Sequence, residues 1–224
     1  AENDSIRAEV TGEDAAGNAY SAEADRGYGV DTDASATISI DTLAGDDVIN
    51  GEEATQTISV TGSVGGDAKA GDTVTLTVGD DTFTGQVAAD LTYAIDVPGS
   101  VLADNDSVTA EVTGEDAAGN AYSAEADRGY GVDTDASATI SIDTLAGDDV
   151  INGEEATQTI SVTGSVGGDA KAGDTVTLTV GDNSYEGTVG EDLTYAINVP
   201  GSVLAENDSV TAEVTGEDAA GNAY

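Results

Sequence analysis

The chain has 224 residues, 45 of them acidic and 5 basic, for a formal charge of −40. Charge of that sign repels nucleic acid and anionic membranes, which excludes both as partners, and it invites cations. There is no Cys and no His, so a disulfide framework and an ordinary zinc or copper site are excluded. No run approaches the roughly 18 apolar residues of a spanning helix, so no membrane insertion is expected.

Low hydrophobicity with high net charge is the signature of disorder, but the local pattern contradicts it. Residues 1–20 nearly repeat residues 103–122, so 1–32 is expected to form the last two strands of a preceding repeat. Thr37-Ile38-Ser39-Ile40 and Thr57-Ile58-Ser59-Val60-Thr61 alternate apolar and polar residues. Thr73 to Val78 alternates most cleanly, with Val74, Leu76 and Val78 on one face. Gly79-Asp80-Asp81 predicts a hairpin turn into 82–87. Residues 91–97 alternate again and stop at Pro98-Gly99, and 107–113 and 121–132 supply the last two strands. Val, Ile and Thr fill the strands, while Gly, Asn and Asp fill the joints. Seven short antiparallel strands in about 100 residues predict an all-β, immunoglobulin-like β-sandwich.

The pattern recurs. Asp31 returns as Asp133, 102 positions on, and residues 35–122 match 137–224 with nine substitutions in 88 positions. Seven of the nine fall between 81 and 89. That period is the size of a domain rather than a solenoid unit. The expected organisation is the tail of one repeat (1–32), a complete repeat (33–134), and a further repeat lacking the end of its last strand (135–224), an excerpt from a longer array of end-to-end sandwiches.

The densest chemistry lies in Gly45-Asp46-Asp47-Val48-Ile49-Asn50-Gly51-Glu52-Glu53, which returns as 147–155 with Asp148, Asp149, Glu154 and Glu155. Four carboxylates this close repel unless a cation joins them, and their hard oxygens suit Ca²⁺. A solvated acidic loop is the plain alternative, but Val48 and Ile49 argue for a loop pinned to a core. Strand order places this loop at the end where the chain leaves the repeat. There it meets the linker acids Asp133 and Asp135 and the turn holding Asp218 and Asn222. The earlier joint has Asp31 and Asp33 with Asp116 and Asn120. Asp-Ala-Ala-Gly-Asn is also simply a good capped turn.

Val-Asp-Thr-Asp-Ala, Gly-Asp-Asp-Val-Ile-Asn-Gly-Glu-Glu, Ala-Gly-Asp-Thr-Val-Thr-Leu and Glu-Asp-Ala-Ala-Gly-Asn, in that order, resemble the bacterial immunoglobulin-like extender repeats of giant calcium-dependent RTX adhesins, the extender region of an ice-binding adhesin among them. The resemblance covers the whole chain. It implies a secreted, cell-surface stalk protein, Ca²⁺ bound in and between repeats, and neighbouring repeats of the same chain as partners. The ligands it implies are Asp31, Asp33, Asp46, Asp47, Glu52 and Asp116, with their copies one period on. The linker lacks the family's frequent Pro, and Ser35 and Ser137 stand nearby instead, which leaves its stiffness more to the metal. The RTX nonapeptide itself is absent.

Two other functions compete. A sugar- or ice-binding module would use the variable patch 81–89, but such sites want exposed aromatics. Only Phe83 or Tyr185 is on offer, and alternation points it inward. An enzyme would have carboxylates alone to work with and no aromatic cleft beside them, so neither catalysis nor a small-molecule substrate is expected.

Overall fold

The computed structural model describes residues 5–224, so residues 1–4 of the expected 1–32 piece lie outside the described residues. The chain opens with a hairpin, β1 (Ser5–Glu13) and β2 (Ala19–Gly27), paired in register from Ser5↔Gly27 to Glu13↔Ala19. It forms a two-stranded sheet of its own.

Next come β3 (Ala36–Ile40), the two-residue β4 (Val48–Ile49), β5 (Thr57–Gly66), β6 (Thr73–Val78), β7 (Asp81–Gln86), β8 (Thr92–Pro98), helix α1 (Gly99–Ala103), β9 (Ser107–Glu115), β10 (Ala121–Gly129) and β11 (Gly131–Val132). Two antiparallel sheets, ordered β3-β5-β8 and β10-β9-β6-β7, form the sandwich. Alternation decides their inner faces. Val74, Leu76 and Val78 of β6 are fully buried, and Tyr93, Ile95 and Val97 of β8 alternate with exposed neighbours. Burying each such side chain is worth about 1.5–3 kcal/mol. Phe83 is half-buried and packs on this core.

The second copy follows: β12 (Ala138–Ile140), β13 (Thr159–Gly168), β14 (Thr175–Val180), β15 (Asn183–Thr188), β16 (Thr194–Pro200), α2 (Gly201–Ala205) and β17 (Thr211–Thr215). Its sheets are ordered β12-β13-β16 and β15-β14-β17. It has a separate hydrophobic cluster, against which Tyr185 packs. The chain is therefore all-β, built of immunoglobulin-like sandwiches.

Three features depart from the predicted elements. β11 pairs with β4 in parallel (Gly131↔Val48, Val132↔Ile49), not antiparallel. A helical turn, α1, follows Pro98, which stands at its N-cap with an extended ψ of 130°. A 3₁₀ turn, Glu53–Thr55, ends the acidic loop.

Close strand approach demands Gly62. A Cβ there would lie 2.0 Å from the Ser39 carbonyl and 2.5 Å from the Tyr93 hydroxyl. That hydroxyl donates to the same carbonyl at 2.8 Å, and burial with nearby Asp41 pushes its pKa up to about 12, so it stays a neutral donor. Gly62→Ala is expected to destabilise the first repeat by about 1–3 kcal/mol, as overpacking does. Tyr93→Phe is expected to cost about 1 kcal/mol. Denaturant midpoints at unchanged slope are the check.

Candidate functional site

The acidic loop is anchored before it is charged. Leu43 and Ile49 are fully buried. Ala44 and Asp47 take left-handed φ of 53° and 64° to turn the chain. The Asp47 amide donates to the Leu43 carbonyl at 2.9 Å, and the Leu43 amide donates back to Asp47 Oδ1 at 2.9 Å. Arg128, from the end of β10, forks onto the same carboxylate: Nε reaches Oδ1 at 2.7 Å and the terminal nitrogen reaches Oδ2. The guanidinium also donates to the Ile40 carbonyl at 3.2 Å. The Arg128 hydrogen bonds first, then the Leu43 amide, hold the Asp47 carboxyl below its ordinary value.

The remaining acids of the loop are partly spent on local donors. Asp46 Oδ1 accepts from the Val48 amide at 3.0 Å. Asn50 and Glu53 cap each other, with Glu53 N–H to Asn50 Oδ1 at 2.9 Å and Asn50 N–H to Glu53 Oε2 at 3.1 Å. Glu52 Oε1 accepts from Gln56 at 2.9 Å. In the second repeat Asp148, Asp149 and Glu155 accept from the Val150, Leu145 and Asn152 amides at 3.1, 2.9 and 3.0 Å, and the Glu154 amide donates to Asn152 Oδ1 at 2.9 Å. Among the described residues no cation pairs with Asp149.

The turn 218–222 is a closed hydrogen-bonded unit. Asp218 Oδ1 accepts from the Ala220 and Asn222 amides, both at 2.8 Å, and Oδ2 accepts from Asn222 Nδ2 at 2.8 Å. The Asn222 side chain, followed by these amides, lowers the Asp218 pKa, and Asp116 is lowered likewise by Asn120. Asp116 and Asn120 repeat the geometry at 2.8, 2.8 and 2.7 Å.

This turn docks on the preceding repeat. Asn222 is buried, 8% exposed. Its Nδ2 donates to the Asp133 carbonyl at 2.9 Å and its Oδ1 accepts the Gly51 amide at 2.7 Å. Asn50 Nδ2 donates to the Ala220 carbonyl at 3.1 Å. Only glycine fits at 51, because a Cβ would stand 2.7 Å from the Thr134 carbonyl. At the earlier joint Asn120 Nδ2 reaches the Asp31 carbonyl at 3.2 Å.

The three expected elements therefore meet: acidic loop, linker and turn. Their acids meet less closely. A cleft of ≈ 500 Å³ at the joint is lined by Gly51, Glu52, Thr134, Asp135, Glu217 and Asn222, among others. Asp46, Asp47, Glu53 and Asp218 do not line it. Asp31 and Asp133 meet the turns through their carbonyls, and the Asp33 and Asp135 side chains are exposed. Among the described residues no three acidic side chains gather closely enough to hold an ion between them. The donor set is all oxygen, which fits Ca²⁺ in kind. The sequence pattern gives Arg128 no role and marks Glu217 only as the first residue of the Glu-Asp-Ala-Ala-Gly-Asn turn, not as a ligand. Arg128 carried a signal, being one of 5 cations among 45 acids.

Fold and joint together define a class, tandem immunoglobulin-like repeats coupled end to end through polar loops. No family model matches the chain, and no curated protein matches it. Solved structures do, and two of them cover nearly the whole chain at 40% identity. One is of a 1.5-MDa bacterial ice-binding adhesin, from work on host cell surface retention. It is 40% identical, with a TM-score of 0.91 over 99% of this chain and 71% of that one. The other is of a Ca²⁺-stabilised adhesin that helps an Antarctic bacterium reach out and bind ice. It too is 40% identical, with a TM-score of 0.81 over 99% of this chain and 55% of that one. The chain belongs to the bacterial immunoglobulin-like extender repeats of large adhesins.

Two outcomes are expected. Asn222→Ala should leave both repeats folded and speed hydrogen exchange at the Gly51 amide, whose acceptor it removes. Because the Asp47 pKa is lowered in the fold, the stability it supplies is present above about pH 4 and lost as pH falls through the depressed value. Asp47→Asn should thus be the less stable protein at pH 7, with its melting temperature converging on wild type in acid.

Proposed function

We propose that this chain is a segment of the stalk of a large secreted bacterial surface adhesin, a spacer whose joints are stiffened by Ca²⁺. The units would be 33–134 and 135–224, with 1–32 closing a preceding repeat. The observation that carries the reading is the joint itself. Glu52 from the acidic loop, Asp135 from the linker and Glu217 beside the docked turn all line one cleft. These three stand too far apart in this structure to share an ion; an ion at the joint would have to draw them together with the Thr134 carbonyl. Asp46, Asp47, Glu53 and Asp133, with Asp148, Asp149, Glu154 and Glu155 one repeat on, shape the loops and add negative potential. Asp31, Asp33, Asp116 and Asn120 would form the earlier joint, and Asp218 with Asn222 holds the turn in place.

Ca²⁺ takes about six to eight oxygen ligands in adaptable geometry, so it tolerates a set drawn from three segments. Bound there, it would cancel repulsion between loops that otherwise push the repeats apart. Likeness to large adhesins supports a stalk rather than an enzyme, and neighbouring repeats of the same chain would be the partners. The half-buried Phe83 and Tyr185 withdraw the aromatic surface that a sugar- or ice-binding patch at 81–89 would need.

Calorimetric titration with Ca²⁺, with melting followed in parallel, tests this. Saturation a hundredfold above Kd should stabilise by about 2.7 kcal/mol per site. Mg²⁺, which keeps its waters and demands octahedral geometry, should substitute poorly. The double substitution Glu52→Gln with Asp135→Asn should remove binding at the joint with each repeat still folded. Equal melting in EDTA and in millimolar Ca²⁺ would overturn the proposal.

A further inference from the structure

Asn50 stands directly before Gly51 in the acidic loop. An asparagine in that position carries its own reaction, because the next backbone nitrogen can attack its side-chain carbonyl carbon. Glycine, lacking a Cβ, leaves that approach least hindered.

At this place the joint restrains both reacting groups. The Asn50 carboxamide is tied at each end: Oδ1 accepts the Glu53 amide at 2.9 Å, and Nδ2 donates to the Ala220 carbonyl of the next repeat at 3.1 Å. The nucleophile is tied as well, since the Gly51 amide donates to Asn222 Oδ1 at 2.7 Å. That acceptor is a neutral carboxamide oxygen, which can hold the proton in a hydrogen bond but is too weak a base to remove it. Space is short too, because the Thr134 carbonyl stands 2.7 Å from where a Cβ on Gly51 would lie. Two of the three hydrogen bonds come from the docked turn. Docking therefore decides whether Asn50 can react.

We propose that Asn50–Gly51 is a self-modification site, shut while the joint is docked and open when it parts, and that its reaction bars the joint from closing again. With the turn 218–222 withdrawn, hydroxide takes the Gly51 amide proton. The nitrogen bonds to Asn50 Cγ, the Cγ–Nδ2 bond breaks, and Nδ2 takes a proton from water and leaves as ammonia. A second water opens the resulting succinimide ring at either of its two carbonyl carbons, giving an aspartate or an isoaspartate in place of Asn50. In sum one water is consumed and one ammonia released, with nothing oxidised or reduced.

Either product spoils the seat. A carboxylate has no hydrogen to give the Ala220 carbonyl and turns a bond into a repulsion. Isoaspartate also threads the main chain through Cβ and Cγ, lengthening it beside the Thr134 carbonyl. The loop itself survives in the aspartate form, because a carboxylate oxygen still accepts the Glu53 amide as the carboxamide does. The sandwich keeps its fold and the joint alone is lost. The inference goes beyond the stalk reading and does not rest on calcium.

The test follows deamidation of Asn50 by mass in mildly alkaline buffer at one fixed Ca²⁺ concentration. Residues 27–69 and 129–171 are identical tryptic peptides, so the work is done in Asn152→Ser, which keeps a capping oxygen and separates the two by mass. In the folded chain Asn50 should react at least about tenfold more slowly than in the same chain unfolded in urea, as a reaction limited by local opening does. Adding Asn222→Ala, which frees the Gly51 amide, should raise the folded rate about tenfold, with circular dichroism unchanged. Asn50→Asp, the product made directly, should keep both repeats folded and speed hydrogen exchange at the Gly51 amide. A folded rate equal to the unfolded one, a rate indifferent to Asn222→Ala, or Asn50→Asp with its Gly51 amide as protected as in wild type would each overturn the proposal.

Discussion

One carboxamide closes the joint between the repeats. Asn222 gives a hydrogen to its own turn at Asp218, gives another to the linker at Asp133, and accepts the Gly51 amide of the preceding repeat. An amide is neutral and carries donors and an acceptor on one rigid plane, so it can bridge a side-chain carboxylate and two backbone groups from three segments inside a chain of charge −40. A carboxylate of the same shape could not donate to the Asp133 carbonyl and would add to the repulsion. The nearby acids are not wasted. Asp218 builds the turn, Asp47 holds Arg128, and Asp46 and Glu53 cap the loop. Charge shapes each loop, and a neutral contact joins them.

The joint is short because the linker is tied at both ends. Beyond Tyr130 the chain zips onto the acidic loop, with the Gly131 amide on the Asp47 carbonyl at 2.7 Å and the Asp133 amide on the Ile49 carbonyl at 3.0 Å. At the other end the Ser137 amide donates to Asp169 Oδ2 at 2.8 Å. Only residues 134–136 are left between these anchors. Buried Ile49 and Leu43 connect the acidic loop to the core, so a tilt of one repeat must strain a loop that is itself part of the sandwich. Lys69 and Lys171 add a brace, each donating to the carbonyl that opens the turn, Glu115 or Glu217. Four of the five cations among the described residues thus have partners in hairpin, loop or turn.

Much of the fold is legible in the sequence because a half-buried strand writes itself as alternation. The inner faces of β6 and β8 read directly from Val74, Leu76, Val78 and from Tyr93, Ile95, Val97. Gly-Asp-Asp marks the β6–β7 turn. The parallel rung of β4 and β11 is not legible, since two residues carry no period and their pairing depends on Arg128 reaching Asp47 across 81 positions. At the joint, motif composition names the three meeting segments correctly but not which atoms meet. A carboxylate reads the same whether it faces a cleft, as Glu52 and Asp135 do, or turns back onto an amide, as Asp46 does. Gly51 looks like a turn residue, and its real constraint, the approach of Thr134, comes from another segment of chain.

The central claim is that the two repeats hold one fixed relation through the Asn222 joint and that Ca²⁺ stiffens it. Residual dipolar couplings from backbone amides of both repeats, recorded in Ca²⁺ and again after chelation, address it most directly. In Ca²⁺ a single alignment tensor should fit both repeats. After chelation each repeat should still fit its own fold, while the two tensors diverge in magnitude. Tensors that differ equally with and without the ion, or that coincide equally in both states, would contradict the account.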